Sequence, residues 1–242
     1  MQGKKEAVVK AIEEGETSGS IADMAELTLR SQEELASLKI IYPGMAQREV
    51  LNAFRDLRTK LLQRSQGKNF VLMVSSLAVG GGSSFVAMNM AASFALDEQK
   101  TAIYIDCNFE RSFANQLLGE NRDYGLLDYL ANPNLEVKDI IYSAGIQRVR
   151  IIPPGSGIET AVESLASHRM VQLINALKER YPDRFVVLDV PPVSESSVAR
   201  ILSKVADLSI LVVPFGKVTT NQVLSGVDAV SEKKFAGVVF NN

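Results

Sequence analysis

An apolar run, Phe70-Val71-Leu72-Met73-Val74, passes through Ser75-Ser76-Leu77-Ala78-Val79 into Gly80-Gly81-Gly82. Ser83-Ser84-Phe85-Val86-Ala87-Met88-Asn89-Met90-Ala91-Ala92 follows. A short continuous apolar run reads as a strand buried on both faces, and such strands belong to parallel sheets covered by helices. The Ala- and Met-rich stretch after the glycines reads as a helix. Strand, glycine turn and helix start, in that order, bring backbone N–H groups together at the positive end of a helix dipole. That arrangement holds an anion, above all a phosphate.

The cofactor-binding candidates are therefore Gly80, Gly81 and Gly82, which permit close backbone approach, with Ser83 and Ser84 at the head of the helix. In the G-x-x-x-x-G-K-[ST] pattern a lysine reaches the β/γ-phosphates and a Ser/Thr hydroxyl holds Mg²⁺. Ser83 stands at the lysine position and Ser84 at the metal position. A neutral hydroxyl in place of a point charge costs about 1.5–3 kcal/mol of binding. Phosphoryl transfer depends on positioning and such charge, so turnover suffers more than binding. The alternative reading of the glycines is a tight strand–helix turn with no ligand.

Further strands are expected at 102–106, 149–152, 184–189, 208–213 and 235–239 besides 70–75. Helices are expected between them, at 84–97, 112–131 in two pieces, 167–181, 195–204 and 219–231. The alternation predicts an α/β fold, a mostly parallel sheet flanked by helices. Right-handed crossovers place the loops that follow the strands at one edge of the sheet. Asp106 and Asp189 each end an apolar strand, so both should meet the glycine loop there. Ser84 can ligate Mg²⁺ and Asp189 can hold its water shell, with Asp106 a third metal candidate. Asp106 and Asn108 share a strand face. With Asn108 neutral, Asp106 alone remains able to take a proton; the plain alternative is a strand-end cap bonding a following N–H.

Composition bounds the rest. The 242 residues are 46% hydrophobic and 22% charged with net charge −2, which suits a globular core and gives no strong field for nucleic acid. One cysteine, Cys107, excludes an intramolecular disulfide and fits a reducing cytoplasm. One histidine, His168, excludes a His-rich metal site. No targeting signal is evident and no apolar run approaches the ~18 residues a membrane span needs.

Residues 1–45 read as an N-terminal extension: a mobile or marginally helical leader to about 19, then a ragged helix over 20–39 ending at Pro43-Gly44. A second helix is expected from Ala46 to Arg64, with Val50, Phe54, Leu57 and Leu61 on its apolar face. The main domain is taken as 46–242.

Several segments in order carry a family likeness. Ala102-Ile103-Tyr104-Ile105-Asp106-Cys107-Asn108-Phe109-Glu110-Arg111 is similar to a strand ending in D-x-D-x-x-R. Phe185-Val186-Val187-Leu188-Asp189-Val190-Pro191-Pro192 is similar to one ending in D-x-P-P. Gly125-Leu126-Leu127-Asp128-Tyr129-Leu130, Ile151-Ile152-Pro153-Pro154-Gly155 and Gly237-Val238-Val239-Phe240-Asn241 complete the set. Over about residues 46–242 the chain resembles the bacterial tyrosine autokinases of capsular and exopolysaccharide chain-length control, within the MinD/ParA-like P-loop group.

That resemblance implies ATP or ADP with Mg²⁺ as cofactors, Asp106 and Asp189 as catalytic residues, and Asn241 against the adenine. It also implies a subunit-contact motif, E-x-x-R-x-x-R, matched by Asn52, Arg55 and Arg58 with Asn52 in place of the glutamate. The implied partners are further copies of the chain and the cytoplasmic part of an inner-membrane polysaccharide chain-length or export protein. The chain would then be cytoplasmic and peripheral to that membrane. Departures run the other way: Ser83 for the lysine, Asn108 for the second aspartate, Val198 for a later aspartate, and no tyrosine beyond Tyr181 where the family has a tyrosine-rich tail. The expectation is a degenerate, non-catalytic relative that regulates polymer assembly and export. The alternatives are an active autokinase or ATPase, with Lys217 supplying the missing charge, and a MinD/ParA-like positioning switch.

Overall fold

The computed structural model describes residues 28–119, 122–179 and 181–241. The expected leader and the first part of the 20–39 helix lie outside the described residues. The centre is a seven-stranded sheet in the order β3-β4-β2-β5-β1-β6-β7. Its strands are β1 (Val71–Ser76), β2 (Thr101–Asp106), β3 (Tyr142–Ser143), β4 (Val149–Ile152), β5 (Arg184–Asp189), β6 (Leu208–Pro214) and β7 (Phe235–Asn241). Every pairing is parallel except β3 with β4. Strands expected at 149–152 and 184–189 fall on those residues, and the others lie within two residues of expectation. The antiparallel pair at β3 is too short to leave a periodic signal.

Alternation along each strand divides the core in two. Leu72, Val74 and Tyr104 face one layer, and Val71, Met73, Ile103 and Ile105 face the other. The first layer holds α1 (Gln32–Ser37), α2 (Arg48–Arg64), α3 (Ser83–Ala95) and α4 (Phe113–Leu118). The second holds α5 (Leu126–Ala131), α6 (Ala161–Leu165), α7 (His168–Glu179), α8 (Val198–Leu202) and α9 (Thr220–Val230). Helix α6 was not expected from the sequence.

Helix α3 is buried along nearly its whole length, because the sheet covers one side and α2 with the segment before it covers the other. Its alanines and methionines suit that position: small residues let neighbours approach, and methionine fills irregular gaps. The C-terminal end of α3 has carbonyls with no intrahelical partner. Arg58 Nη1 donates to Ser93 O at 2.6 Å, and Arg148 Nε and Nη2 donate to Ala95 O at 3.1 and 2.7 Å. Two guanidinium groups thus sit at the negative end of the helix dipole.

Three expectations change here. The described part of the 20–39 segment is helical only over Gln32–Ser37, where Ser31 and Glu34 form a capping box. The rest is an irregular strap, and Leu35 of the short helix with Ile40 and Ile41 of the strap are buried in the same core as α3, where a ragged face docking on the domain or a partner was expected. Asn89 of α3 fastens the strap. Its Oδ1 accepts from Ile41 N–H at 2.8 Å, and its Nδ2 donates to Lys39 O at 3.0 Å. On α2, Leu51 replaces Val50 on the buried face, and Val50 is 39% exposed. Helix α2 packs on α3, and that contact takes Leu51, Phe54 and Leu61.

Asn89→Ala should lower stability by about 1–3 kcal/mol, because it leaves the buried Ile41 N–H unpaired. Val50→Ala should stay within about 0.5 kcal/mol. Urea unfolding checks both, and equal midpoints for Asn89→Ala and the parent would contradict the strap's anchorage.

Candidate functional site

The glycine loop, Asp106 and Asp189 converge at one edge of the sheet. Asp106 ends β2 and Asp189 ends β5, directly opposite one another across the ladder, and Asp189 also lies opposite Val74 of β1. The loop leaves β1 two residues beyond Val74 and returns as α3. Leu77 N–H donates to Val212 O, Gly81 N–H turns back to Ala78 O at 3.1 Å, and Ser76 Oγ donates to the same carbonyl at 2.7 Å. Gly82 caps α3 in the left-handed region at φ 88°, where a side chain would be strained. A Cβ there would also strike the amide of Asn241, whose Nδ2 donates to Gly81 O at 3.1 Å. Asn241 at the end of β7 therefore rests on the loop itself. Ser83, Ser84 and Phe85 open α3, so their N–H groups have no carbonyl one turn earlier in the helix.

Two carboxylates lie side by side, and both are 0% exposed. Asp106 is engaged by its own loop: Oδ1 accepts from Asn108 N–H at 2.9 Å, and Oδ2 from Ser112 Oγ at 2.8 Å and Ala114 N–H at 2.9 Å. Those bonds are the strand-end cap considered as the plain alternative, and they tie Asp106 to the start of α4. Asp189 is placed differently. Its Oδ2 accepts from the Tyr104 hydroxyl at 2.7 Å, while Oδ1 is buried without a hydrogen-bond partner.

Burial pushes the Asp189 carboxyl up to about 8, and the Asp106 charge adds to the rise, while the Ser84, Tyr104 and Ser83 hydroxyls offset part of it. Burial also raises Asp106, to about 6, against the N–H and hydroxyl groups that stabilise its charged form. The Tyr104 phenol is raised well above its usual range, first by burial and then by the two aspartates. Cys107 is buried beside them and raised for the same reasons.

The arrangement fits a divalent cation and a phosphate. An orphaned carboxylate oxygen faces the serines that open α3, and a bound Mg²⁺ would supply the positive charge that Oδ1 lacks. Ser84 Oγ would hold the ion, Asp189 its water shell, and the loop N–H groups the phosphate oxygens. No cationic side chain stands at the loop's lysine position, where Ser83 is 5% exposed. Lys217 lies on the exposed turn after β6, its N–H bonded to Pro214 O.

Asn108 is half-buried and borders a cleft with Phe109, Arg111, Pro191, Glu195 and Val198. Of the expected subunit-contact residues, Asn52 and Arg55 are exposed on α2. Arg58 is turned inward onto α3, and burial lowers its pKa while Asp97 raises it. Arg58 is thus a structural clamp in this chain, not part of a solvated face. Tyr104 escaped the sequence reading. Its signal was strand parity: two residues before Asp106 on β2 and opposite Val187, it reaches Asp189, two residues further along β5.

No protein-family model matches the chain. It is 30% identical over 195 residues to the putative tyrosine-protein kinase EpsB of Ralstonia solanacearum, covering 79% of this chain and 25% of that protein. It is 29% identical over 195 residues to the tyrosine-protein kinase wzc of Salmonella typhimurium, covering 79% and 27%. The chain thus spans about a quarter of the length of these relatives. The solved kinase domain of the Escherichia coli tyrosine kinase ETK superposes with a TM-score of 0.72 at 24% identity, over 89% of this chain and 88% of that one. The septum site-determining protein MinD of Pyrococcus horikoshii, complexed with Mg-ADP, gives 0.56 at 21% identity over 71% and 68%.

Because Asp189 is neutral over a wide range when folded and charged above about 4 when unfolded, it lowers stability progressively as pH rises from about 4 to about 8. Asp189→Asn should therefore raise Tm relative to the parent in metal-free buffer, little at pH 4 and increasingly toward pH 8. Thermal melts across that range check it, and a pH-independent difference would contradict a raised carboxyl.

Proposed function

The chain is a relative of the kinase domains of the bacterial tyrosine autokinases, and from that premise we propose that it is a catalytically silent member. In this reading it binds an adenine nucleotide with Mg²⁺ and acts through a partner in exopolysaccharide or capsule assembly. The observation that carries it is Ser83. The residue opens α3 at the head of the glycine loop, beside a buried, orphaned carboxylate oxygen, and brings no charge. The cradle keeps what binding needs: loop amides, the Ser84 hydroxyl and Asp189. It lacks what transfer needs, a fixed cation at the β/γ oxygens. Asn108 supports the same reading, since it leaves Asp106 as the nearer acid–base candidate, and both Asp106 oxygens are bonded to the chain's own loop.

The proposed partner is the cytoplasmic part of an inner-membrane chain-length or export protein, with further copies of the chain as an additional contact. No helix among the described residues is long and apolar enough to cross a membrane. Arg55 is the exposed member of the arginine pair and is the residue offered to such a contact.

Calorimetry with ADP·Mg²⁺ and ATP·Mg²⁺ should give binding, while phosphate release and phosphotyrosine formation stay at background. Ser83→Lys should tighten either nucleotide by about tenfold or more, the worth of a charge-assisted contact. Phosphotyrosine formed by the parent protein and abolished by Asp189→Asn would establish the active-kinase alternative instead.

A further inference from the structure

The two edges of the sheet are built differently. Strand β3 at one edge spans only Tyr142–Ser143 and offers little for another strand to pair with. Strand β7 at the other runs from Phe235 to Asn241 without a charged residue or a proline. Native sheets blunt their edges with such residues or with short strands, because a bare edge invites pairing. The register irregularity of β7 lies at its start, opposite Ser209 and Ile210, so 237–241 is regular. There Asn241 lies opposite Pro214, and Phe215 N–H donates to Asn241 O at 3.0 Å. The backbone groups of Asn241 thus point at β6, and by alternation so do those of Val239 and Gly237. The N–H and C=O groups of Val238 and Phe240 point the other way, over an edge that no strand among the described residues pairs with. Their side chains stand beside Leu211 and Val213 on the second-layer face. Gly226 brings α9 close to Leu211, yet Phe240 is 71% exposed, Val238 36% and Leu224 of α9 60%.

We infer that the β7 edge is a self-association surface, on which two copies of the chain pair β7 with β7, antiparallel, about a twofold axis at Val239. This register satisfies the outward backbone. With Val239 on the axis, Val238 faces Phe240 of the partner subunit, and the residues of each such pair exchange both N–H···O bonds. Every N–H and C=O group of Val238 and Phe240 is then used on both strands. The side chains agree with the backbone, since a β-branched residue meets an aromatic one across the strands, a favourable pair. A twofold axis at Val238 would instead set Phe240 against Ala236, in the irregular part of the strand. A strand without charge meets its own copy without like-charge repulsion, and that self-complementarity is what commits the edge to a second copy. The contact is isologous and closes at two copies. The two sheets become one continuous sheet, with Val238, Phe240 and Leu224 of both copies on one side of it. One strand a side falls short of the about 800 Å² per partner of a standard interface, so the association should be reversible and concentration-dependent. The surface uses β7 and the second layer, not α2 with its Arg55, and it does not depend on the nucleotide reading.

Sedimentation velocity tests the contact. The parent should pass from monomer to dimer across the micromolar range. Phe240→Lys should raise the dissociation constant about tenfold or more, because it sets a charge on the pairing edge, whereas Arg55→Glu should leave it unchanged. Phe240 is exposed, so Phe240→Lys should unfold at the parent's midpoint under dilute conditions, where both are monomers. Cross-linking tests the register. Directly opposed residues that exchange hydrogen bonds have Cα atoms about 5.5 Å apart, within reach of a disulfide. Val238→Cys and Phe240→Cys proteins oxidised together should therefore give a linked pair on a non-reducing gel. Either variant alone should not, since identical positions are then diagonal neighbours about 7–8 Å apart, and Cys107 is buried. A parent that stays monomeric would overturn the inference and leave the edge to an extended segment of another protein. Dimers that survive Phe240→Lys would overturn it, as would dimers that Arg55→Glu dissolves, which would assign the contact to α2. Cross-linking as strong in either variant alone as in the mixture would overturn the pairing.

Discussion

The burial of α3 is the constraint on which the rest depends. A helix can present its first-turn N–H groups to a phosphate only if its position is fixed. Here the sheet holds one side, and α2 and the strap hold the other. Asn89 bonds the strap in the middle of the helix, and Arg58 and Arg148 bind its last carbonyls. Both guanidiniums lie at the C-terminal end, where the dipole is negative, and the other end is left for an anion. Through the same contacts Leu35, Ile40 and Ile41 of the strap share the core that covers α3.

Electrostatics at the sheet edge make sense as a set. Two aspartates lie opposite each other on neighbouring strands, both out of water. Such a pair needs positive charge, protons, or donors. Asp106 receives donors from the loop that follows it. Asp189 accepts from Tyr104 on one oxygen, its other oxygen has no hydrogen-bond partner, and the nearby Ser83 and Ser84 hydroxyls offset only part of the burial. A lysine in the glycine loop would add charge close by; Ser83 removes it. Burial therefore favours the protonated form of the Asp189 carboxyl, and no lysine in the loop opposes that.

Much of this was legible in the sequence, for a physical reason. Parallel strands buried on both faces leave continuous apolar runs, so 149–152 and 184–189 could be placed to the residue, and the ends of β2 and β5 located Asp106 and Asp189 at one edge. What escaped were contacts between elements. Val50 and Leu51 are both apolar, and only the packing of α2 in the tertiary fold decides which is buried. Arg58 reads as a solvated charge until the C-terminal end of α3 is known to lie beneath it. Tyr104 is one apolar strand residue among several, and its role appears once β5 is paired beside β2. The strap lacks helical periodicity because it is mostly not helical, and its buried residues cluster around Lys39, which adopts φ 57°.

The inward turn of Arg58 also narrows what α2 can offer a partner. In the motif that this segment resembles, two arginines and a glutamate act together. Here the glutamate is Asn52, one arginine caps α3, and Arg55 is the arginine left exposed. A single surface guanidinium at a rim contributes to association rate and specificity more than to affinity. The capping arginine, by contrast, reports on α3, and through α3 on the glycine loop at its other end. Charge reversal at Arg58 would disturb the helix that follows the glycine loop, whereas reversal at Arg55 touches only the surface. The two arginines are three residues apart and nearly one helical turn, yet they belong to different parts of the molecule's physics: one to the fold of the site, the other to whatever the domain meets.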